Sequence, residues 1–168
     1  DVKDFYSDIM AKNKASADSN HVFTCVKTIP YALDWLEEQH GIPFHVLDDF
    51  FYPGHCCHRM HAVPEVTGAA LVTRLEQAAL KSDIIISCSL RVSDLVTNVN
   101  DRVIGARALR PDGTVETIAA KTVILACNGY AGNPQLVAKH IPEMKDALYF
   151  GHPGNQGDAV LWGQKLGA

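Results

Sequence analysis

Three short stretches concentrate the residues able to do chemistry. Val123–Asn133 reads VILACNGYAGN, an apolar run giving way to small residues. That is the pattern of a strand whose carboxyl end lets a ligand approach the backbone, and a plain exit from strand to loop has the same composition. Gly154-Asn155-Gln156-Gly157-Asp158 precedes helical spacing at Val160, Leu161 and Leu166. Glycines there leave the first N–H groups of a helix free to meet a negative group, while Asp158 could equally cap that helix. The third stretch is His55-Cys56-Cys57-His58, with Arg59 and His61 behind it. Soft ligands crowd that loop, so zinc is conceivable. Structural zinc sites, however, take two ligand pairs about a dozen residues apart, and adjacent Cys56 and Cys57 cannot easily point at one ion. No metal is expected there, and Arg59 and His61 are candidates for a role near a cofactor or substrate.

The elements that must position these residues alternate in period. Val2, Phe5, Tyr6, Ile9 and Met10 recur at helical spacing, and Asn13–Asn20 is polar and loop-like. A second helix carries Pro30 near its start with Ala32, Leu33 and Leu36, and Gly41 stops it. A third spans about Glu65–Lys81, with Leu71, Leu75 and Ala79 on one face. Ile84–Ile86 and Val123–Ala126 are apolar runs of the kind buried on both faces of a parallel sheet. Between them, Leu90–Thr97, Val103–Leu109 and Thr114–Ile118 read as an antiparallel meander, turned at Asn100-Asp101 and Pro111-Asp112-Gly113. Nine of the 12 glycines fall from Gly105 onward, so close backbone approach is expected in the second half. Helix, buried strand, meander, buried strand and glycine loop is an α/β order with an inserted β unit. Cys25 and Cys88 read as buried small hydrophobes, and Trp35 and Trp162 as packing residues on helices.

Composition narrows the function classes. With 168 residues the chain has the length of about one domain. Fifteen basic residues (15) against 19 acidic ones give a net charge of −4, which excludes nucleic acid as the expected partner. No apolar run approaches the length of a membrane span, so no membrane insertion is expected. Five cysteines without a signal peptide point to reduced thiols and a cytoplasmic setting. The chain starts at Asp1 and stops at Ala168 on a helical stretch, which reads as a piece of something longer.

Taken together, Ile84–Ser87, the meander, VILACNGYAGN and HPGNQGDAVLWGQKLGA resemble the FAD-dependent fumarate reductase and succinate dehydrogenase flavoprotein family, which includes 3-ketosteroid dehydrogenases. Ala126, Gly129 and Asn133 match the family's strand-and-glycine run. Gly157, Asp158, Gly167 and Ala168 match its later G-D-G helix, and Tyr52–His55 with Arg59–His61 resemble the segment before its long helix. The likeness runs from about Ile29 to the C-terminus. Cys127-Asn128 replaces the usual small residues, and Ala159 replaces the glycine after Asp158.

The resemblance implies an α/β fold, part of an FAD-binding Rossmann-like (glutathione-reductase-type) domain with parallel strands and an inserted three-stranded antiparallel meander. Residues 1–168 are then a single partial domain: helical over 1–82, strand, meander and strand over 83–127, glycine loop and helices over 128–168. The implied cofactor is FAD, contacted at Val92, Ala126, Cys127, Asn128, Gly129, Asn133, Gly157 and Asp158. Val92 would meet the adenine, Ala126 and Gly129 would pass close by backbone, and Asp158 with the Gly157 N–H would hold the ribityl or pyrophosphate region. No G-x-G-x-x-G occurs, and the family's catalytic residues are expected outside this chain. The implied activity is reduction or dehydrogenation of a carbon–carbon bond in a small-molecule substrate. The alternatives are a non-catalytic module that binds no flavin by itself, and a metal site at His55–His61. Self-association of the segment is a further expectation.

Overall fold

The computed structural model describes residues 1–168, which form two compact units, Asp1–Ile86 and Ser87–Ala168. In the first, α1 (Val2–Lys12) and α2 (Ser19–His40) are followed by the short strands β1 (His45–Val46) and β2 (His61–Ala62), then α3 (Gly68–Leu80). Asp18 caps α2 by accepting from the His21 N–H at 2.8 Å. At the other end Gly41 adopts φ +64°, a left-handed conformation that ends helices and that glycine takes without steric cost. α2 is longer than expected, and Pro30 sits inside it rather than near its start. A proline there removes one ladder N–H and crowds the preceding turn. With both ends capped, and with Val26 one turn earlier only 2% exposed, the helix continues through it. The core of this unit is Val26, Ile42 and Val63.

The second unit is built on the expected meander: β3 (Arg91–Thr97), β4 (Val103–Leu109) and β5 (Val115–Ala119), antiparallel in the order β3-β4-β5. Val92 faces Ala108 across the first ladder, and the register shifts between Val92 and Asp94, a β-bulge. Asn98 Oδ1 accepts from the Asn100 and Arg102 N–H groups at 2.9 and 3.1 Å and so closes the first turn. Asp112 Oδ1 does the same for Thr114 at 2.9 Å in the second. α4 (Pro134–His140), a 3₁₀ turn (Pro142–Met144) and α5 (Asp158–Lys165) follow. Ala108, Leu136 and Trp162 are the buried apolar side chains here.

Three expectations need correction. Both sheets are antiparallel, and neither Ile84–Ile86 nor Val123–Ala126 belongs to a ladder. A strand of parallel type needs a neighbour's N–H and C=O groups, and these runs find none within the chain. Ile85 and Ile124 are accordingly 92% and 85% exposed. Cys25 and Cys88 are exposed, as are all five thiols. Trp162 is buried, but Trp35 is 55% exposed and rests its ring edge-on against His40 at 4.4 Å. The total exposed surface, 12554 Å², exceeds the roughly 8,100 Å² that scaling gives for a folded monomer of this mass. Much apolar surface is therefore left uncovered.

Candidate functional site

The second unit joins the two glycine-bearing stretches. The Gly157 N–H donates to the Gly129 carbonyl at 3.1 Å, and the Gly132 N–H to the Asn155 carbonyl at 2.9 Å. Asn133 Nδ2 donates to the Gln156 carbonyl at 3.0 Å, and Gln156 Nε2 returns a bond to the Gly132 carbonyl at 2.9 Å. Asn133 Oδ1 simultaneously accepts from the Gln135 and Leu136 N–H groups, capping α4. The result is a rigid double loop at the start of α5.

This geometry sorts the expected cofactor residues. The Gly157 N–H is already bonded, so it is not the free donor the sequence suggested. Asn133 spends its Oδ1 on the cap and an Nδ2 hydrogen on the loop, which makes it a positioning residue. Asp158 opens α5 behind the Gly157 N-cap, and its carboxylate makes no capping bond. Nor does it bond any other group of the chain. The capping alternative is thereby removed, and an acceptor stands free beside the unpaired N–H groups of the first turn of α5. Gly129 has open space where a side chain would stand, with nothing within 4 Å. Asn128 holds φ +61° and accepts from the Gly129 N–H at 2.8 Å, which fixes the exposed edge from Ala126 to Gly129. Val92 is 38% exposed beside the bulge in β3. A bulge frees backbone groups from the ladder, which suits a contact made through main-chain atoms.

A second cluster lies in the first unit. Arg59 Nη1 bonds Asp8 Oδ2 of α1 at 2.5 Å, with the two side chains only 11% and 18% exposed. The guanidinium also lies 4.6 Å from the centre of the Phe5 ring. Asp8 Oδ2 accepts from the Cys56 N–H at 2.8 Å as well. The Arg59 guanidinium, and after it the Cys56 N–H, hold the Asp8 carboxyl down to about 2. Asp8 escaped sequence reasoning because its partner lies far along the chain and nothing local marks it. Arg59 and His61 line one cleft of about 700 Å³ with His58 and Cys57. His61 Nδ1 sits 2.9 Å from the Arg59 carbonyl. The histidines and cysteines of this loop do not converge as three or more ligands around a metal position.

The residues of the second unit fit FAD as one wall of a cradle. Backbone edges at Ala126–Gly129, the bulged strand at Val92 and the unbonded Asp158 carboxylate offer acceptors and close approach on exposed surface. The clefts of the first unit are lined by none of them. An ionised carboxylate repels a phosphate, so Asp158 suits a hydroxyl donor of the ribityl chain.

Comparison with known proteins points the same way. The FAD binding domain family matches residues 1–168, including the first 28 residues that the sequence motifs did not reach. A Shewanella frigidimarina protein named "Probable fumarate reductase Ifc3" is 29% identical over 171 residues, covering 99% of this chain and 28% of that protein. A urocanate reductase of Eggerthella lenta is 28% identical over 141 residues, covering 82% of this chain and 23% of the relative. This chain thus spans under a third of the curated relatives it matches. Among solved structures, the open conformation of a flavocytochrome c3 fumarate reductase superimposes with a TM-score of 0.88 at 27% identity, covering 100% of this chain and 30% of that one. A 3-ketosteroid-delta4-(5alpha)-dehydrogenase from Rhodococcus jostii RHA1 shares the fold at TM-score 0.82 and 20% identity, covering 100% of this chain and 41% of that one.

Proposed function

The chain belongs to the FAD binding domain family, and on that premise we propose that it is the central segment of an FAD-dependent oxidoreductase acting on a carbon–carbon bond. The substrate is a small molecule of fumarate/succinate-like or 3-ketosteroid-like chemistry. The observation that carries the reading is the double loop: Gly129 and Gly157 are tied together, and the tie leaves the Asp158 carboxylate and the Ala126–Asn128 main chain unbonded beside the open space at Gly129. The chemistry that bound FAD would supply is hydride transfer between its N5 and the carbon–carbon bond.

This chain's own residues bind and orient. Ala126, Cys127 and Asn128 present main-chain atoms, Gly129 leaves open space beside them, and Asn133 holds the loop that follows against Gln156. Val92 offers backbone to the adenine. Asp158 accepts from a ribityl hydroxyl, while Gly157 fixes the start of α5. Arg59 and His61 share the cleft of the first unit and are the candidates there for contact with substrate or flavin. The acid or base that moves the second proton lies outside these residues. Residues 1–168 act as part of one FAD-binding domain, a reading supported by the family match over the whole chain. No helix is long and apolar enough to cross a membrane. We place the protein in the cytoplasm, where five unpaired cysteines persist as thiols.

The test is reduction of the flavin-loaded protein followed by addition of an unsaturated dicarboxylate or a 3-ketosteroid. Re-oxidation of the flavin by one of them is the expected result. A protein that retains no flavin, or whose reduced flavin responds to neither class, would overturn the proposal.

A further inference from the structure

Cys56 and Cys57 are exposed neighbours, and the structure turns both sulfurs toward the same atom. Arg59 Nη2 donates to Cys57 Sγ at 3.1 Å and to Cys56 Sγ at 3.4 Å. Adjacent side chains of a strand diverge, but Cys56 and Cys57 lie in a bend of the chain, and the arginine bridges the two sulfurs there. The arginine is itself fixed: Nη1 is bonded to Asp8, the guanidinium plane rests on Phe5, and the side chain is 11% exposed. The Asp8 carboxylate, which accepts from the Cys56 N–H, pushes the Cys56 thiol above its ordinary value.

We propose that Cys56, Cys57 and Arg59 form a dithiol clamp, a covalent modification site for trivalent arsenic compounds carrying two exchangeable hydroxyls. A direct disulfide is a poor product for this pair. Consecutive Cα atoms stand about 3.8 Å apart, below the roughly 4.4–6.8 Å that disulfides usually span. A single arsenic atom inserted between the sulfurs relieves that constraint. The exchange balances without an oxidant: two As–S bonds form and two As–O bonds break. The two thiol protons leave with the hydroxyls as two waters, and arsenic stays trivalent. The clamp needs two sulfurs only, which agrees with the absence of a third converging ligand.

The test uses phenylarsine oxide with the folded chain, read by intact mass spectrometry and by titration of free thiols. The expected product is one adduct per chain, with reactive thiols falling from five to three. A dithiol should reverse it, whereas a monothiol at the same concentration should not. Cys56→Ser and Cys57→Ser should each abolish it, with the corresponding alanine variants giving the same answer should serine disturb the loop. A chain with Cys25, Cys88 and Cys127 all replaced by serine should react as the native one does. Arg59→Gln should weaken the apparent affinity about tenfold, by releasing the sulfurs from their shared donor. The proposal is overturned by an adduct that survives either single serine variant. It is equally overturned by an Arg59→Gln chain, or a urea-unfolded one, that binds as tightly as the native fold.

Discussion

Gly157 and Gly129 are joined by a 3.1 Å hydrogen bond from the Gly157 N–H to the Gly129 carbonyl, yet the two glycines do different work. Gly157 holds φ +84°, and a Cβ there would stand 2.5 Å from Leu136 Cδ1 and 2.7 Å from Tyr130 Cβ. At Gly129 an added Cβ meets nothing within 4 Å. Gly157→Ala should therefore cost about 2–4 kcal/mol, from the left-handed backbone and from overpacking. Gly129→Ala should stay within about 0.5 kcal/mol while impairing flavin retention. Urea denaturation of the two variants compares them, and equal midpoints would count against this division of roles.

Asp158→Ala should weaken flavin retention about five- to hundredfold in the flavin-loaded protein, the worth of one hydrogen bond to a hydroxyl. Asp112→Ala should leave retention unchanged, because Asp112 Oδ1 is spent on the Thr114 N–H of its own turn. Asp158→Asn keeps the shape and weakens the acceptor, so it should fall between. The flavin-to-protein absorbance ratio after desalting measures all three; wild-type ratios for both Asp158 variants would remove this residue from the site.

The ion pair between Asp8 and Arg59 gives stability a defined pH dependence. Asp8 titrates near 2 in the folded chain and near 3.8 when unperturbed. A depressed carboxyl stabilises above its unfolded value and loses that contribution as pH falls through its folded value. The stability gap between native and Asp8→Asn chains should thus be constant from about pH 5 to 8, and should close between about pH 4 and 2. Denaturant midpoints at several pH values follow it, and a gap that widens on acidification would contradict the assignment.

Ile85 and Ile124, each in an apolar run without a ladder partner, should drive self-association of the chain. Because Ile85 is 92% exposed, Ile85→Lys should lower the light-scattering mass without lowering the melting temperature. A native chain that is monomeric at every concentration would refute this.

The meander was legible in the sequence because its signals are local. Alternating apolar residues and the turn residues Asn98–Asp101 and Asp112-Gly113 set the register within a few positions of one another, and the strands fall within one residue of expectation. The Gly41 stop was legible for the same reason, and so was the family, whose two glycine runs have a characteristic order. Pro30 misled because capping at Asp18 and burial of Val26 outweigh one lost ladder bond. The apolar runs at Ile84 and Val123 misled because apolar composition signals a buried strand, whereas a ladder also needs a neighbour to supply its hydrogen bonds. What only the tertiary structure decided is who meets whom across long loops. It gave the Gly157 N–H to Gly129 and left Asp158 free, and it set Asp8 on Arg59 and both Cys56 and Cys57 on the other arm of the same guanidinium. Pairings of that kind depend on the path of the chain between the partners, and no periodicity or turn residue encodes that path locally.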